Sequence, residues 1–502
     1  MNPSPVRQVV VVGSGTDALL VAATLKRQLP GLGVTLLRDP DAPAPDPAGE
    51  STTPAVIQQL CTVLGLQGSD IHLHARPVWT LGYKCLWGAR GSFYRSFDQS
   101  LTQGIPGFRT EPGFLFADGP MDSGLLPVAL MAAGKLFPKD GANSFKPIEN
   151  LTGLNFRMEL LDALLLRACK SLGLVMKSGK IAAFDHGEKE LRLEDGSSLT
   201  ADLFLDAGGS ARPLASLAGN TGWISYADAS PCTRAATLRR RRGSEPIRPY
   251  TTLETQENGW RWRTEHDDSI GLGLAWNPDF LGEDEACAQL LAKADDASLT
   301  PLVHHWNPGR LAAAWQGPVL AIGDAGGFLP PLASLRMGML ALQINWLMRL
   351  LAETDGNVGE ACRGNYNKVV GEAWDECRDF HAIHYRFNTA SDSPFWEMAR
   401  ATAVPQSCAA LVDLYQSIGP AHLLSNFLPT WPGAVGIDSW IATLLGLGVP
   451  FRHHPEIPAE EKKAWESICE QRRAVAKQAV APELCIGAAR RSMKPEPRVA
   501  FP

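Results

Sequence analysis

This chain carries little excess charge of either sign: 47 lysines and arginines stand against 53 aspartates and glutamates, a formal net charge of −6 over 502 residues. A balance this close argues against nucleic acid or an anionic membrane surface as the main partner. The one dense basic run, Arg239 to Arg242, reads as a solvated strand edge or loop. Cysteine is scarce too. Ten are scattered from Cys61 to Cys485, with no Cys-x-x-Cys pair and no Cys/His cluster at zinc spacing, so neither a disulfide framework nor a metal site is indicated. The pairs His304-His305 and His453-His454 lack partners at ligand spacing and read as surface or packing residues. No apolar stretch approaches the roughly 18 residues of a membrane span. The apolar run from Val9 enters a glycine turn after Val12, which is not a signal-peptide pattern, and a cytoplasmic location is expected. There are no internal repeats.

What is present is the material of a large globular core: 45% hydrophobic residues, with 20% charged. Val9 to Val12 is a β-branched run suited to a strand buried on both faces. The segment Gly13-Ser14-Gly15-Thr16-Asp17-Ala18 follows, then a helical pattern through Ala22, Leu25 and Leu29 and a second strand at Val34 to Leu37. This order opens a dinucleotide-binding unit. Gly13 permits the tight turn, Gly15 admits a pyrophosphate to the backbone, and Ala18 allows close helix–strand contact. The amides from Thr16 onward then face the phosphate. The acid expected after the second strand, for the ribose hydroxyls, is displaced: Arg38 holds its position and Asp39 stands beside it. Further along, residues 71–150 mix short strands with Gly/Pro turns, Asn155 to Leu172 reads as a helix, and Leu203 to Asp206 as a buried strand. Thr251 to Ala275 has β character, Val319 to Ile322 is another buried strand, and a helix is expected from about Leu332 to Leu351. Helices fill most of the rest, to about residue 480, before a Pro-rich tail after Lys494.

Five segments, in register, resemble the flavin-dependent tryptophan halogenases. Gly49-Glu50-Ser51-Thr52-Thr53-Pro54 resembles the family's G-E-[AS]-T-x-P loop, and Trp260-Arg261-Trp262 the first half of its W-x-W-x-I-P motif. Gly323-Asp324-Ala325-Gly326-Gly327-Phe328 looks like its third flavin segment, and Leu203 to Gly209 the strand and turn it shares with flavin monooxygenases. Arg378-Asp379-Phe380, His384-Tyr385 and Ser393 to Trp396 are similar to its C-terminal helical signature. The resemblance covers roughly residues 7–450. It implies an α/β fold: a Rossmann-like FAD-binding domain of the flavin monooxygenase type, an inserted β-sheet substrate region and a C-terminal helical region. On this reading the flavin parts are about 7–60, 155–215 and 310–350, the substrate-sheet parts about 71–150 and 220–300, and the helical part 351–450. A C-terminal helix and tail occupy 451–502.

The resemblance also implies chemistry. FADH₂ from a separate flavin reductase meets O₂ to give a flavin hydroperoxide, halide attacks it, and hypohalous acid reaches an active-site lysine before an electron-rich aromatic substrate, free or carrier-tethered. Lys84, in Tyr83-Lys84-Cys85-Leu86-Trp87, stands where the family keeps that lysine. Cofactor contacts are expected from Gly13, Gly15, Thr16, Ala18, Asp39, Glu50, Ser51, Thr53, Gly323, Asp324 and Phe328. The reading leaves a homodimer open. Departures from the family fall at two places. Pro330-Pro331-Leu332-Ala333-Ser334-Leu335-Arg336 stands where tryptophan-halogenating members have approximately D-P-L-E-S-T-G. The family carboxylate is therefore Ala333, and the two halide-holding positions, Thr and Gly there, are Leu335 and Arg336. A glycine used for left-handed backbone would not be replaced easily by arginine. After Trp262 the motif ends Thr264-Glu265 instead of Ile-Pro. Without the glutamate, a phenol, pyrrole or indole that supplies its own electron density suits the site better than free tryptophan. The alternatives are a flavin monooxygenase on the same scaffold without halide use, and a non-catalytic flavin- or partner-binding member.

Overall fold

The computed structural model describes residues 5–98, 100–119, 121–141, 144–148, 150–428 and 435–492. Its first sheet has six strands in the order Trp315–Gln316, Val319–Ala321, Leu203–Asp206, Gln8–Val12, Gly33–Arg38 and Val175–Ser178. All neighbours run parallel except the edge strand Trp315–Gln316. The valines of the first strand explain its central place. Val9 and Val11 face one core, shared with the helices Thr16–Gln28, Met158–Ser171 and Arg336–Glu353, while Val10 and Val12 face a second, under a small sheet of Ile181–Asp185, Glu190–Leu193 and Ser198–Thr200. A run apolar at every position is what burial on both faces requires.

The second large sheet has seven strands: Leu302–His305, Arg234–Arg241, Ser269–Trp276, Gly259–Glu265, Thr251–Gln256, Gly82–Leu86 and Phe93–Ser96. Only Thr251–Gln256 and Gly82–Leu86 pair in parallel. Register assigns its faces. Cys85, Leu253 and Trp262 are in-register neighbours, and with Tyr83, Trp260, Ala235 and Ala275 they form an inner face packed on the helices Glu360–Arg386, Pro394–Ala401, Gln406–Ile418 and Ile437–Leu447. The outer face carries Leu238, Leu272 and Leu274 beneath the helix Glu283–Ala294. A three-stranded patch, Glu50–Ser51, Gly153–Phe156 and Val78–Thr80, joins the two halves of the molecule.

Several expectations need correction. Asn155 and Phe156 are strand residues, and the helix begins only at Met158, because Gly153 to Phe156 zips between Glu50–Ser51 and Val78–Thr80. The block 71–150 contains two helices, Pro112–Asp118 and Leu126–Ala132, besides its short strands. The helix expected from Leu332 starts at Arg336, since Ser334 adopts left-handed backbone (φ 53°) just before it. Residues beyond 451 are no separate layer: Trp465, Ala476 and Cys485 lie in the inner-face core, and Val480 bridges Phe137. The tail after Lys494 lies outside the described residues. Among the described residues no helix is long and apolar enough to cross a membrane.

Candidate active site

The site is built where the first strand ends. Gly13 sits at φ 149°, and a Cβ there would lie 2.4 Å from the Ala207 carbonyl oxygen and 2.8 Å from the Ala18 Cβ, so the turn closes only with glycine. Gly15 is different: a Cβ there would meet nothing within 4 Å. That open space lies in front of the N-terminus of the helix Thr16–Gln28, which no side chain caps, leaving first-turn amides aimed outward. The Thr16 hydroxyl is committed to Asp162, so only its backbone remains for a ligand. Asp39 is exposed at the end of the second strand, and its carbonyl oxygen accepts a 3.1 Å hydrogen bond from Ser14 in the turn. Gly323, at φ 65°, closes the other side, where a Cβ would lie 2.1 Å from Asp17 Oδ2.

Across this cleft lies an ionic cluster that the sequence did not disclose. Arg336 donates from Nη2 to Asp17 Oδ1 at 2.6 Å, from Nη1 to Glu50 Oε2 at 2.7 Å and from Nε to Asp324 Oδ2 at 2.8 Å. One guanidinium therefore faces three carboxylates. Burial pushes the Glu50 carboxyl up to about 7 and that of Asp17 up to about 6, with Arg336 opposing both shifts. Arg336 was expected at the halide position as a backbone donor. Its backbone enters the helix while its side chain reaches back into the cleft. The worry about lost left-handed backbone is also resolved, because Ser334 takes that conformation and Leu335 is right-handed (φ −81°). Asp17, inside the glycine motif, is a cleft residue that motif reading missed, and it also missed Asn155, whose buried amide has no partner and which pairs with Ser51 in the strand patch. Asp17 was visible as an acid in a phosphate-binding turn; Asn155 gave no signal.

The cleft fits a dinucleotide. Glu50 Oε1 and Asp324 Oδ1 are buried without hydrogen-bond partners, which suits acceptors awaiting hydroxyl or N–H donors. Open space over Gly15 and uncapped amides suit a pyrophosphate. Thr53 begins the helix Pro54–Gln58 and lies against the start of Arg336–Glu353, its hydroxyl 3.7 Å from where a Gly338 Cβ would be.

From the cleft, one tyrosine leads to the aromatic half. The Tyr83 hydroxyl donates to the Ala333 carbonyl oxygen at 3.1 Å and faces the hydroxyls of Ser51 and Ser334. Ala333 and Leu332 are themselves buried in the inner-face core. Both tryptophans of the Trp260-Arg261-Trp262 motif point to that face, as strand alternation predicts. Trp260 donates to the Tyr385 hydroxyl at 2.8 Å. Trp262 stacks on Trp306 at 6.2 Å, and Trp306 lies 5.8 Å from Phe328 of the third flavin-like segment.

Lys84 does not join this constellation. It follows Tyr83 on the strand and so projects to the opposite, outer face, where Thr252 and Tyr94 are its in-register neighbours and its ammonium lies 5.4 Å from the Tyr94 ring centroid. Tyr94, one of the aromatics expected around it, is thus beside it, and Tyr94 and Tyr250, with ring centroids 5.6 Å apart, pack on the same core as the two tryptophans. No lysine among the described residues is buried. The buried cation on the inner face is Arg95.

Comparison with known proteins bears on this arrangement. A family model described as Tryptophan halogenase matches residues 8–462. The 7-chloro-L-tryptophan 6-halogenase KtzR of Kutzneria sp. (strain 744) is 28% identical over 244 residues, 47% of this chain and 44% of that one. The tryptophan 7-halogenase RebH of Lentzea aerocolonigenes is 23% identical across 92% of this chain and 93% of its own. The first curated relatives are thus matched over about half their length. Among solved structures, MibH, a lathipeptide tryptophan 5-halogenase, superimposes with a TM-score of 0.87 at 26% identity, covering 97% of this chain and 94% of that one.

Proposed function

The chain belongs to the tryptophan halogenase family, and on that premise we propose that it is an FAD-dependent halogenase acting on an electron-rich aromatic substrate. The observation that carries the reading is the Tyr83 bridge. One buried hydroxyl ties together the Glu50–Thr53 segment, the loop before Arg336 and the aromatic inner face. Gly13, Gly15, Thr16 and Ala18 would hold the pyrophosphate, Asp39 the ribose, and Glu50, Ser51, Thr53, Gly323, Asp324 and Phe328 the rest of the cofactor. Bound FAD, delivered as FADH₂ by a separate reductase, supplies with O₂ the oxidising equivalent that turns halide into an electrophile. The chain's own residues do the remaining work. Helix amides offset phosphate charge, and Arg336 offsets the carboxylates that would otherwise repel it. The first turn of Arg336–Glu353 offers the backbone N–H groups of Leu335 and Arg336 to a halide. Trp87, Trp260 and Tyr385 exclude water from the inner face. Lys84, half-buried with its ammonium over the Tyr94 ring, would hand the electrophile to the substrate.

Mass spectrometry of products tests the reading. The protein is supplied with FAD, a flavin reductase, NADH, O₂ and each halide in turn, against indoles, phenols and pyrroles, free or carrier-tethered. Halogen isotope patterns that follow the halide supplied are the expected result. One observation favours a second reading, a monooxygenase: Ala333 stands where the family has a carboxylate, and Arg336 is engaged with acids. Products that gain oxygen and never halogen, whatever the halide, would establish it instead.

A further inference from the structure

Arg95 is 3% exposed, on the inner face of the strand Phe93–Ser96 and in register with Tyr83. Its guanidinium carbon lies 4.5 Å from the Tyr83 ring centroid and 4.9 Å from that of Phe380. Two rings thus hold the group, and its guanidinium makes no hydrogen bond or ion pair with the described residues, while its nitrogens still touch open space. The other buried arginine of this sheet shows what a structural role looks like. Arg242 meets Glu265 at 2.6 Å and donates to the carbonyl oxygens of His266, Pro246 and Ser269. Carboxylates on the neighbouring helix Glu360–Arg386 are committed elsewhere: Asp375 to Arg310, Asp379 to Arg378, Glu376 to the Val435 amide. Burying a lone cation is among the costliest arrangements a fold can keep.

Beside it stand two more unsatisfied groups. His381 is buried with both ring nitrogens unpartnered; His384 holds the Phe380 carbonyl oxygen through Nδ1 at 2.7 Å and leaves Nε2 free. Burial, together with the Arg95 charge, depresses both imidazoles, His381 to about 3, so near neutrality neither adds charge. The cluster therefore holds one positive charge with no ion pair, flanked by Tyr83, Phe380 and Trp87. Its link to the chemistry is short, since Tyr83 also holds Ala333.

We propose that Arg95 is the seat of a buried site for one monovalent anion on the inner face, supplied either by a halide ion or by the carboxylate of the aromatic substrate. The choice of these two sources rests on the halogenase reading; the site itself does not. The test uses flavin-free protein in gluconate buffer at constant ionic strength. Thermal midpoints are followed while bromide, an aromatic carboxylate such as indole-3-carboxylate, or neutral indole is added. Wild type should rise saturably, by about 2 °C, with one anion class and not with indole. Arg95→Met should show no such rise, and in gluconate should be no less stable than wild type, because it removes an unpaired charge and keeps an apolar stem. Arg95→Lys should respond more weakly, having lost the planar donors. A response to bromide assigns the halide, and one to the carboxylate alone assigns the substrate. Bromide anomalous scattering from crystals of unaltered protein checks the halide arm without any variant. No anion response in wild type, or an equal one in Arg95→Met, overturns the site. Product formation is read separately: halogenation without an anion response sinks only the site, and an anion response without halogenation sinks only the halogenase reading.

Discussion

Arg336 faces three buried carboxylates, so its loss should outweigh any single contact it makes. Arg336→Gln is expected to cost about 3–5 kcal/mol in urea unfolding near neutral pH, because it strands Asp17, Glu50 and Asp324. The pH dependence has a definite sign. Glu50 and Asp17 ionise at about 7 and about 6 in the folded protein, against roughly 4 in an unfolded chain. Between those values the folded state keeps protons that the unfolded chain has released. Their contribution therefore favours folding at low pH, falls as pH rises from about 4 to 7, and is flat above. In Arg336→Gln the fall should steepen and extend to higher pH; a slope rising through this window would refute the assignment. Gly15→Val makes the contrasting case. With nothing within 4 Å of the added Cβ, the thermal midpoint should stay near wild type. FAD titration should nonetheless show binding lost, since the side chain enters the space a pyrophosphate needs. The glycines were legible from sequence because their meaning is local. The meaning of Asp17 was not, since the arginine that balances it lies 319 residues away.

Strand alternation decides more about this site than motif spacing does. The strand Gln8–Val12, the seven-stranded sheet's central strands and the Trp260-Arg261-Trp262 face were all readable, because period-two and fully apolar runs carry their burial with them. Asn155 looked helical by its neighbours, and only the pairing of Gly153–Phe156 between two distant short strands overrode that tendency. Lys84 shows the same limit, since a one-residue offset sends a side chain to the other face of a sheet. Two substitutions on one strand therefore diverge. Lys84→Met, on the face of Tyr94, should cut halogenated product by roughly 10²-fold or more, as loss of a charge-assisted donor to the electrophile demands. Tyr83→Phe removes the hydrogen bond to Ala333, worth about 1 kcal/mol of stability. It should lower kcat at unchanged FAD affinity, because it loosens the loop and leaves the cleft residues in place. Retained product formation in Lys84→Met would remove that lysine from the electrophile's path.

At the scale of the whole molecule, the arrangement of cores bears on how electrons arrive. One core gathers the first strand, Leu203–Asp206 and the helix Arg336–Glu353; another gathers the seven-stranded sheet, the helices after residue 360 and the C-terminal segment. Between them, the described residues hold a single strand–glycine turn–helix unit with an open phosphate face, at Gly13 to Ala18. If that unit takes FAD, we propose that reduction occurs on a separate flavin reductase, with FADH₂ arriving by diffusion. The purified protein with FAD and NADH should consume NADH no faster than free FAD does in buffer, followed at the NADH absorbance band without O₂. Adding an unrelated flavin reductase should restore turnover, at a rate that tracks reductase concentration until the chain saturates. Fast NADH oxidation by the protein alone would mean that the cleft accepts both nucleotides in turn, as a single-component monooxygenase does, and would transfer the Ala333 and Arg336 departures from halide chemistry to oxygen insertion.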